Sequence, residues 1–156
     1  MLSDNRSLIH DTKQDTDDAY NNIAREILSR QYGVFGRSRP FPSLNLFLAS
    51  HNRESVLSAQ RLHQQRTKSG VPTVPVAFGQ LHGMSDEVSF SLLQETGDDG
   101  KSPDVFKCST WGNMGECIGY LVRRAVENRD AVLRTRDEFM ALRAEARRRA
   151  MSLFGK

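Results

Sequence analysis

From Thr12 to Arg30 apolar positions recur at helical spacing, with Ala19, Ile23, Ile27 and Leu28 near one face, and Thr12 with Asp15 forms a Thr-x-x-Asp start suited to capping. The spacing predicts a helix there. Residues 31–43 hold Gly33, Gly36, Pro40 and Pro42 and are expected to be a loop. The next stretch, Leu44 to Ser50 (LNLFLAS), is a short, nearly continuous apolar run of the kind expected in a strand buried on both faces. Asn52 can cap a helix that runs to about Lys68 and is stopped by Gly70. The alternation then repeats. Val74 to Leu81 reads as a strand, Asp86 to about Gln94 as a short helix, and Asp104 to Ser109 as a third strand. A helix from about Gly115 to Asp130 follows, and a last one begins at Thr135, where Glu138 completes a Thr-x-x-Glu capping box. Strands alternating with helices imply parallel pairing and an α/β architecture.

Composition changes this picture little. With 156 residues and 38% apolar content the chain is the size of one ordinary domain. It has no apolar run of membrane-spanning length, and the acidic, polar start MLSDNRSLIHDTKQDTDD does not resemble a secretory signal or an Arg-rich transit peptide. Cys108 and Cys117 are the only cysteines, so neither a disulfide framework nor a metal centre is expected and a reducing compartment is the simplest setting. Charge is uneven: Arg134 to Lys156 hold seven Lys/Arg against three Asp/Glu, whereas the rest holds fifteen against sixteen. A basic terminal helix of this kind suits solvent or an acidic membrane surface. Without aromatic interleaving for base stacking, no nucleic-acid partner is expected.

In folds of this class ligands sit at the C-terminal ends of the strands. Three segments qualify: Ser50-His51-Asn52, Gly79 to Met84, and Cys108 to Gly112. Each taken alone is what strand-to-helix turns use for capping; their convergence on one rim is the stronger signal. On the helix around residue 120, Tyr120, Arg123, Arg124 and Glu127 share one face, and Ile118, Leu121, Val122, Ala125 and Val126 the other. Paired guanidinium forks match a carboxylate, and a Glu one turn on can orient them. An ordinary amphipathic surface helix with an i, i+4 Arg/Glu pair has the same spacing, and pattern alone does not separate the two.

Three stretches, LNLFLASHNRESV, VAFGQLHGMSDEVSFSL and VFKCSTWGNMGECIGYLVRRAVENRDAV, resemble in order and spacing the last three strand-helix units of proline dehydrogenases, particularly the mitochondrial eukaryotic type. IHDTKQDTDDAYNNIAREIL resembles the helix before them, so the likeness covers roughly residues 9–135. The resemblance implies the C-terminal portion of a (β/α)8 TIM-like barrel, incomplete here, over residues 1–133, followed by a basic C-terminal helix over 134–156. A full barrel needs about 250 residues, so the chain is expected to be a truncated fragment of one. The implied activity is FAD-dependent oxidation of L-proline to Δ1-pyrroline-5-carboxylate, with a quinone-type or other electron acceptor and a mitochondrial location.

Residue by residue, the resemblance matches Arg123 and Arg124 to the arginines that hold the substrate carboxylate and Tyr120 to a residue lining the proline pocket. Ser50 and His51 match a strand-end pair contacting FAD, and Leu81 an apolar residue near the isoalloxazine and substrate. Arg124 and Glu127 would reach the flavin ribityl region, with Glu127 keeping the arginines in register. Cys108 stands where the family commonly has a tyrosine against the proline ring, and Trp111 either fills part of that space or packs under its loop. The family's carboxylate-binding lysine and its Arg-rich strand end have no counterpart in this sequence. Two other readings stay open: a non-catalytic remnant that binds acidic partners through Arg143, Arg147, Arg148 and Arg149, and a pseudoenzyme that keeps the carboxylate clamp without flavin.

Overall fold

The computed structural model describes residues 5–97, 100–127 and 135–154. After a single 3-10 turn at Arg6–Leu8, helix α1 (Lys13–Leu28) starts at Thr12, whose hydroxyl accepts from the Asp15 N–H while the Asp15 carboxylate accepts from the Thr12 N–H. This is the capping box expected at that position. Its inward face meets the expected one at Ile27 and Leu28 and departs from it elsewhere: Ala24 is buried with Tyr20 beside it, whereas Ile23 is exposed. Strand β1 (Leu46–Ala49) leads through Asn52 into α2 (Arg53–Lys68). The Asn52 side chain accepts from the Glu54 and Ser55 N–H groups, and Gly70 with φ +65° ends the helix in the left-handed conformation glycine adopts without strain.

Strand β2 (Val76–Leu81), helix α3 (Asp86–Gln94) and strand β3 (Asp104–Cys108) complete a parallel sheet in the order β1-β2-β3. In register, Leu48, Phe78 and Val105 point to one face, and Ala49, Gly79 and Phe106 to the other. Helices α1, α2 and α3 lie on the first face, and the core forms there from Leu28, Leu48, Val56, Phe78, Val88 and Leu92. Two further helices follow, α4 (Met114–Glu127) and α5 (Thr135–Phe154), and α5 packs on α3. The Thr135 and Glu138 side chains of the expected capping box lie outside the described residues, as do residues 128–130 of the expected helix end.

The expectation that β1 is buried on both faces is not met. Leu48 is buried, but Phe47 and Ala49 on either side of it are exposed, and β3 alternates likewise. No described element covers the second face. An apolar run reports that a strand is apolar, not that two layers sandwich it. Among the described residues no helix is long and apolar enough to cross a membrane.

Candidate functional site

The uncovered face of the sheet forms the floor of a cleft of about 520 Å3 lined by Phe47, Ala49, Ser50, His51, Gly79, Gln80, Leu81, Phe106, Lys107 and Cys108. Its size falls within the range of small-molecule pockets, about 300–1,000 Å3. Phe47 and Phe106 flank the middle strand with ring centroids 6.0 Å apart and planes tilted by 44°. They can lie this close because residue 79 is glycine: a Cβ there would meet Phe47 Cζ at 2.6 Å. The strand alternation that buries Leu48 and Phe78 therefore also turns Phe47, Ala49, Gly79, Phe106 and Cys108 into the cleft.

At the C-terminal end of the strands, side chains take over from the backbone ladder. The Ser50 N–H still donates to the Gly79 carbonyl (3.2 Å), the last regular step between β1 and β2. The next two groups are then satisfied by side chains: Gln80 Nε2 donates to the Ser50 carbonyl (3.3 Å), and the Leu81 N–H donates to His51 Nε2 (3.1 Å). Gln80 is held in turn by Ser89 of α3, whose hydroxyl donates to Gln80 Oε1 (2.9 Å) in a buried setting. The Ser50 hydroxyl accepts from the Asn52 N–H (3.1 Å). On the other side the His82 N–H donates to the Cys108 carbonyl (2.8 Å), and Lys107 ties the β2-α3 turn down through the Met84 carbonyl (2.9 Å) and Asp86 (2.7 Å). Asp17 of α1, bonded to Lys13, is held below its ordinary value first by that ammonium, with burial opposing and the Asn52 side chain assisting.

The structure thus brings together Ser50, His51, Leu81 and Cys108, all expected on one rim; Leu81 and Cys108 are register partners. It does not bring Tyr120, Arg123 and Arg124 to that cleft: none of the three lines it. Arg123 is exposed, and the half-buried Arg124 sets its guanidinium carbon 5.5 Å from the centre of the Tyr120 ring one turn earlier, a cation–π contact along the helix. The Glu127 side chain lies outside the described residues. The other face of α4, with Ile118, Leu121, Val122 and Val126, is about half exposed. Trp111 is 97% exposed, so it neither fills the space beside Cys108 nor packs under its loop. Sequence reasoning missed the N-terminal cap of α4, where Asn113 and Glu116 accept from each other's N–H groups at 3.1 and 3.0 Å. The Asn-x-x-Glu spacing could have revealed it.

Residues 3–137 match the family described as proline dehydrogenase. The chain belongs to that family. Among its relatives, the hydroxyproline dehydrogenase of Bos taurus is 40% identical over 111 residues, 70% of this chain and 22% of that protein. The mitochondrial proline dehydrogenase 1 of Dictyostelium discoideum is 35% identical over 140 residues, 88% of this chain and 22% of its own length. A probable mitochondrial proline dehydrogenase of Schizosaccharomyces pombe is 29% identical over 158 aligned positions, 96% of this chain and 32% of its own length. This proline dehydrogenase family chain therefore spans between about a fifth and a third of the relatives it matches. No solved structure matches it.

Proposed function

We propose that the chain supplies the last three strand-helix units of a (β/α)8 barrel that oxidises L-proline to Δ1-pyrroline-5-carboxylate with FAD, in a mitochondrial setting. The observation that carries this reading is the cleft: an apolar trough across the C-terminal ends of three parallel strands, floored by a glycine between two phenylalanines and edged by Ser50 and His51. Its apolar floor and polar edge suit the isoalloxazine and ribityl parts of a flavin. Bound there, FAD would supply the hydride acceptor, and the protein's part is to position proline against it. Leu81 and Cys108 would wall the substrate side, with Ser50 and His51 on the flavin. For Arg123 and Arg124 to hold the proline carboxylate, with Tyr120 beside the ring and Arg124 and Glu127 toward the ribityl chain, α4 must close on the rim. Its half-exposed apolar stripe suits such packing. The basic segment 134–156, whose helix α5 packs on α3, would meet an acidic membrane surface near a quinone-type acceptor.

The test is a chimera in which residues 9–135 replace the matching part of the Dictyostelium discoideum relative. The expected protein is yellow, and its flavin absorbance bleaches anaerobically with L-proline. Exchange of Arg123 and Arg124 for lysine raises KM while flavin stays bound. A chimera that folds but holds no flavin would sink the reading. The isolated 156-residue chain is expected to bind flavin poorly, and stoichiometric retention by it would refute that expectation alone.

Hydroxyproline is a second substrate reading, favoured by the 40% identity to hydroxyproline dehydrogenases and by a thiol at Cys108 in place of an aromatic wall. Bleaching by 4-hydroxyproline faster than by proline, reversed by Cys108→Tyr, would select it.

A further inference from the structure

A parallel ladder ordinarily continues with each N–H of one strand donating to a carbonyl of the next. Between β1 and β2 the following step would pair the Leu81 N–H with the Ser50 carbonyl. Here the carbonyl belongs to Gln80 Nε2, and the N–H belongs to the His51 ring. The exchange lets β1 stop at Ala49 and turn into the Asn52 cap while the main-chain groups at the break stay satisfied. We propose that His51 is a positioning residue whose neutral imidazole, as the Nδ1–H tautomer, ends the β1-β2 ladder and holds Leu81 in the cleft wall. An N–H donor requires a lone pair on Nε2, so the opposite tautomer and the imidazolium both set donor against donor and leave the Leu81 N–H without its acceptor. Protonation of one side chain thereby removes one of the bonds that hold a residue of the cleft. Among the described residues, titratable or charged groups in the same cleft lining and the adjoining turns include Lys107 and Cys108 on β3, Arg53 and Glu54 at the start of α2, and Asp17 of α1 beside Asn52. Lys107 is engaged by Asp86, and Asp17 by Lys13.

The bond is a matter of structure alone; its effect on turnover rests on the reading of Leu81 as a substrate-side wall, and the test separates the two. In the 15N-labelled full chain, a magnetisation-transfer experiment across N–H···N bonds is expected to link the Leu81 amide to His51 Nε2, with Nε2 at the shift of an unprotonated ring nitrogen. Acidification that protonates the ring abolishes the link. In His51→Phe the Leu81 amide exchanges with solvent about tenfold faster, as expected for loss of one hydrogen bond. In His51→Gln, whose amide oxygen can accept but does not titrate, protection returns and no longer depends on pH. A protonated Nε2 at neutral pH, or Leu81 protection unchanged in both variants, overturns the proposal. These outcomes hold whether or not the chain binds flavin.

Discussion

Replacing Gly79 with alanine sets two effects of opposite sign against each other. In a strand interior the exchange favours the folded state by about 0.5–1 kcal/mol, because glycine loses the most conformational freedom on folding. Against this, the new Cβ lies 2.6 Å from Phe47 Cζ and 2.7 Å from Cε1. The ring must shift by about 1 Å to regain ordinary carbon–carbon separations of about 3.5–4.0 Å. Phe47 is 55% exposed with nothing described above it, so it yields by rotating rather than by straining the sheet. What it gives up is contact with Phe106, an aromatic pairing worth about 0.5–1.5 kcal/mol. The two effects nearly cancel, and Gly79→Ala is expected to change stability by less than about 1 kcal/mol. In a Phe47→Ala background nothing opposes the alanine, and the same change should stabilise by about 0.5–1 kcal/mol. Urea denaturation of the four proteins, followed by far-UV circular dichroism, completes the double-mutant cycle, with a coupling of about 0.5–1.5 kcal/mol expected. Equal stabilisation in both backgrounds would refute the reasoning, since it would mean that the ring does not lie over Gly79.

Two other consequences are open to direct measurement. Asn52→Ala removes the acceptor for the Glu54 and Ser55 N–H groups and should cost about 1 kcal/mol. The melting temperature should fall by about 2–4 °C, and Asn52→Ser, whose hydroxyl can accept from the same N–H groups without setting a second carboxylate against Asp17, should restore most of it, whereas an alanine variant that melts with the parent would count against the cap. On α5, Glu145 accepts from Arg148 and Arg149, and these hold its carboxyl down at about 2 from an ordinary 4.5. A depressed carboxyl contributes stability that is present above 4.5 and lost as pH falls through about 2. Part of the helical signal should therefore drop in that acid window and lose this pH dependence in Glu145→Gln; identical acid profiles for the two proteins would show that the pairing contributes nothing.

The starts of α1 and α2 and the stop of α2 were legible because capping is local. Thr12 with Asp15, Asn52 with its two following N–H groups, and Gly70 each act within four residues of themselves. The inward stripe of α1 was legible only in part, at Ile27 and Leu28, because Tyr20-Ala24-Ile27-Leu28 and Ala19-Ile23-Ile27-Leu28 are both plausible helical stripes and the position of α2 decides between them. The convergence of Ser50, His51, Leu81 and Cys108 followed from parallel topology, which fixes where strand ends lie. The bonds that organise that rim did not: Gln80 reaches Ser50 and Leu81 reaches His51 across thirty residues of sequence, and no periodicity encodes a side chain substituting for a backbone acceptor. Likewise the two-faced character of α4 was visible in its sequence, but its distance from the cleft depends on what its apolar stripe packs against.

The uncovered sheet face also bears on how the chain melts. The heat capacity and denaturant sensitivity of unfolding both scale with the surface newly exposed. Phe47, Phe106 and the apolar stripe of α4 already meet water in the folded chain and add less to that change than they would beneath a second layer. A chain of this length should therefore unfold with a shallow dependence on urea and a flat stability curve, losing less on cooling than a fully layered domain of equal size.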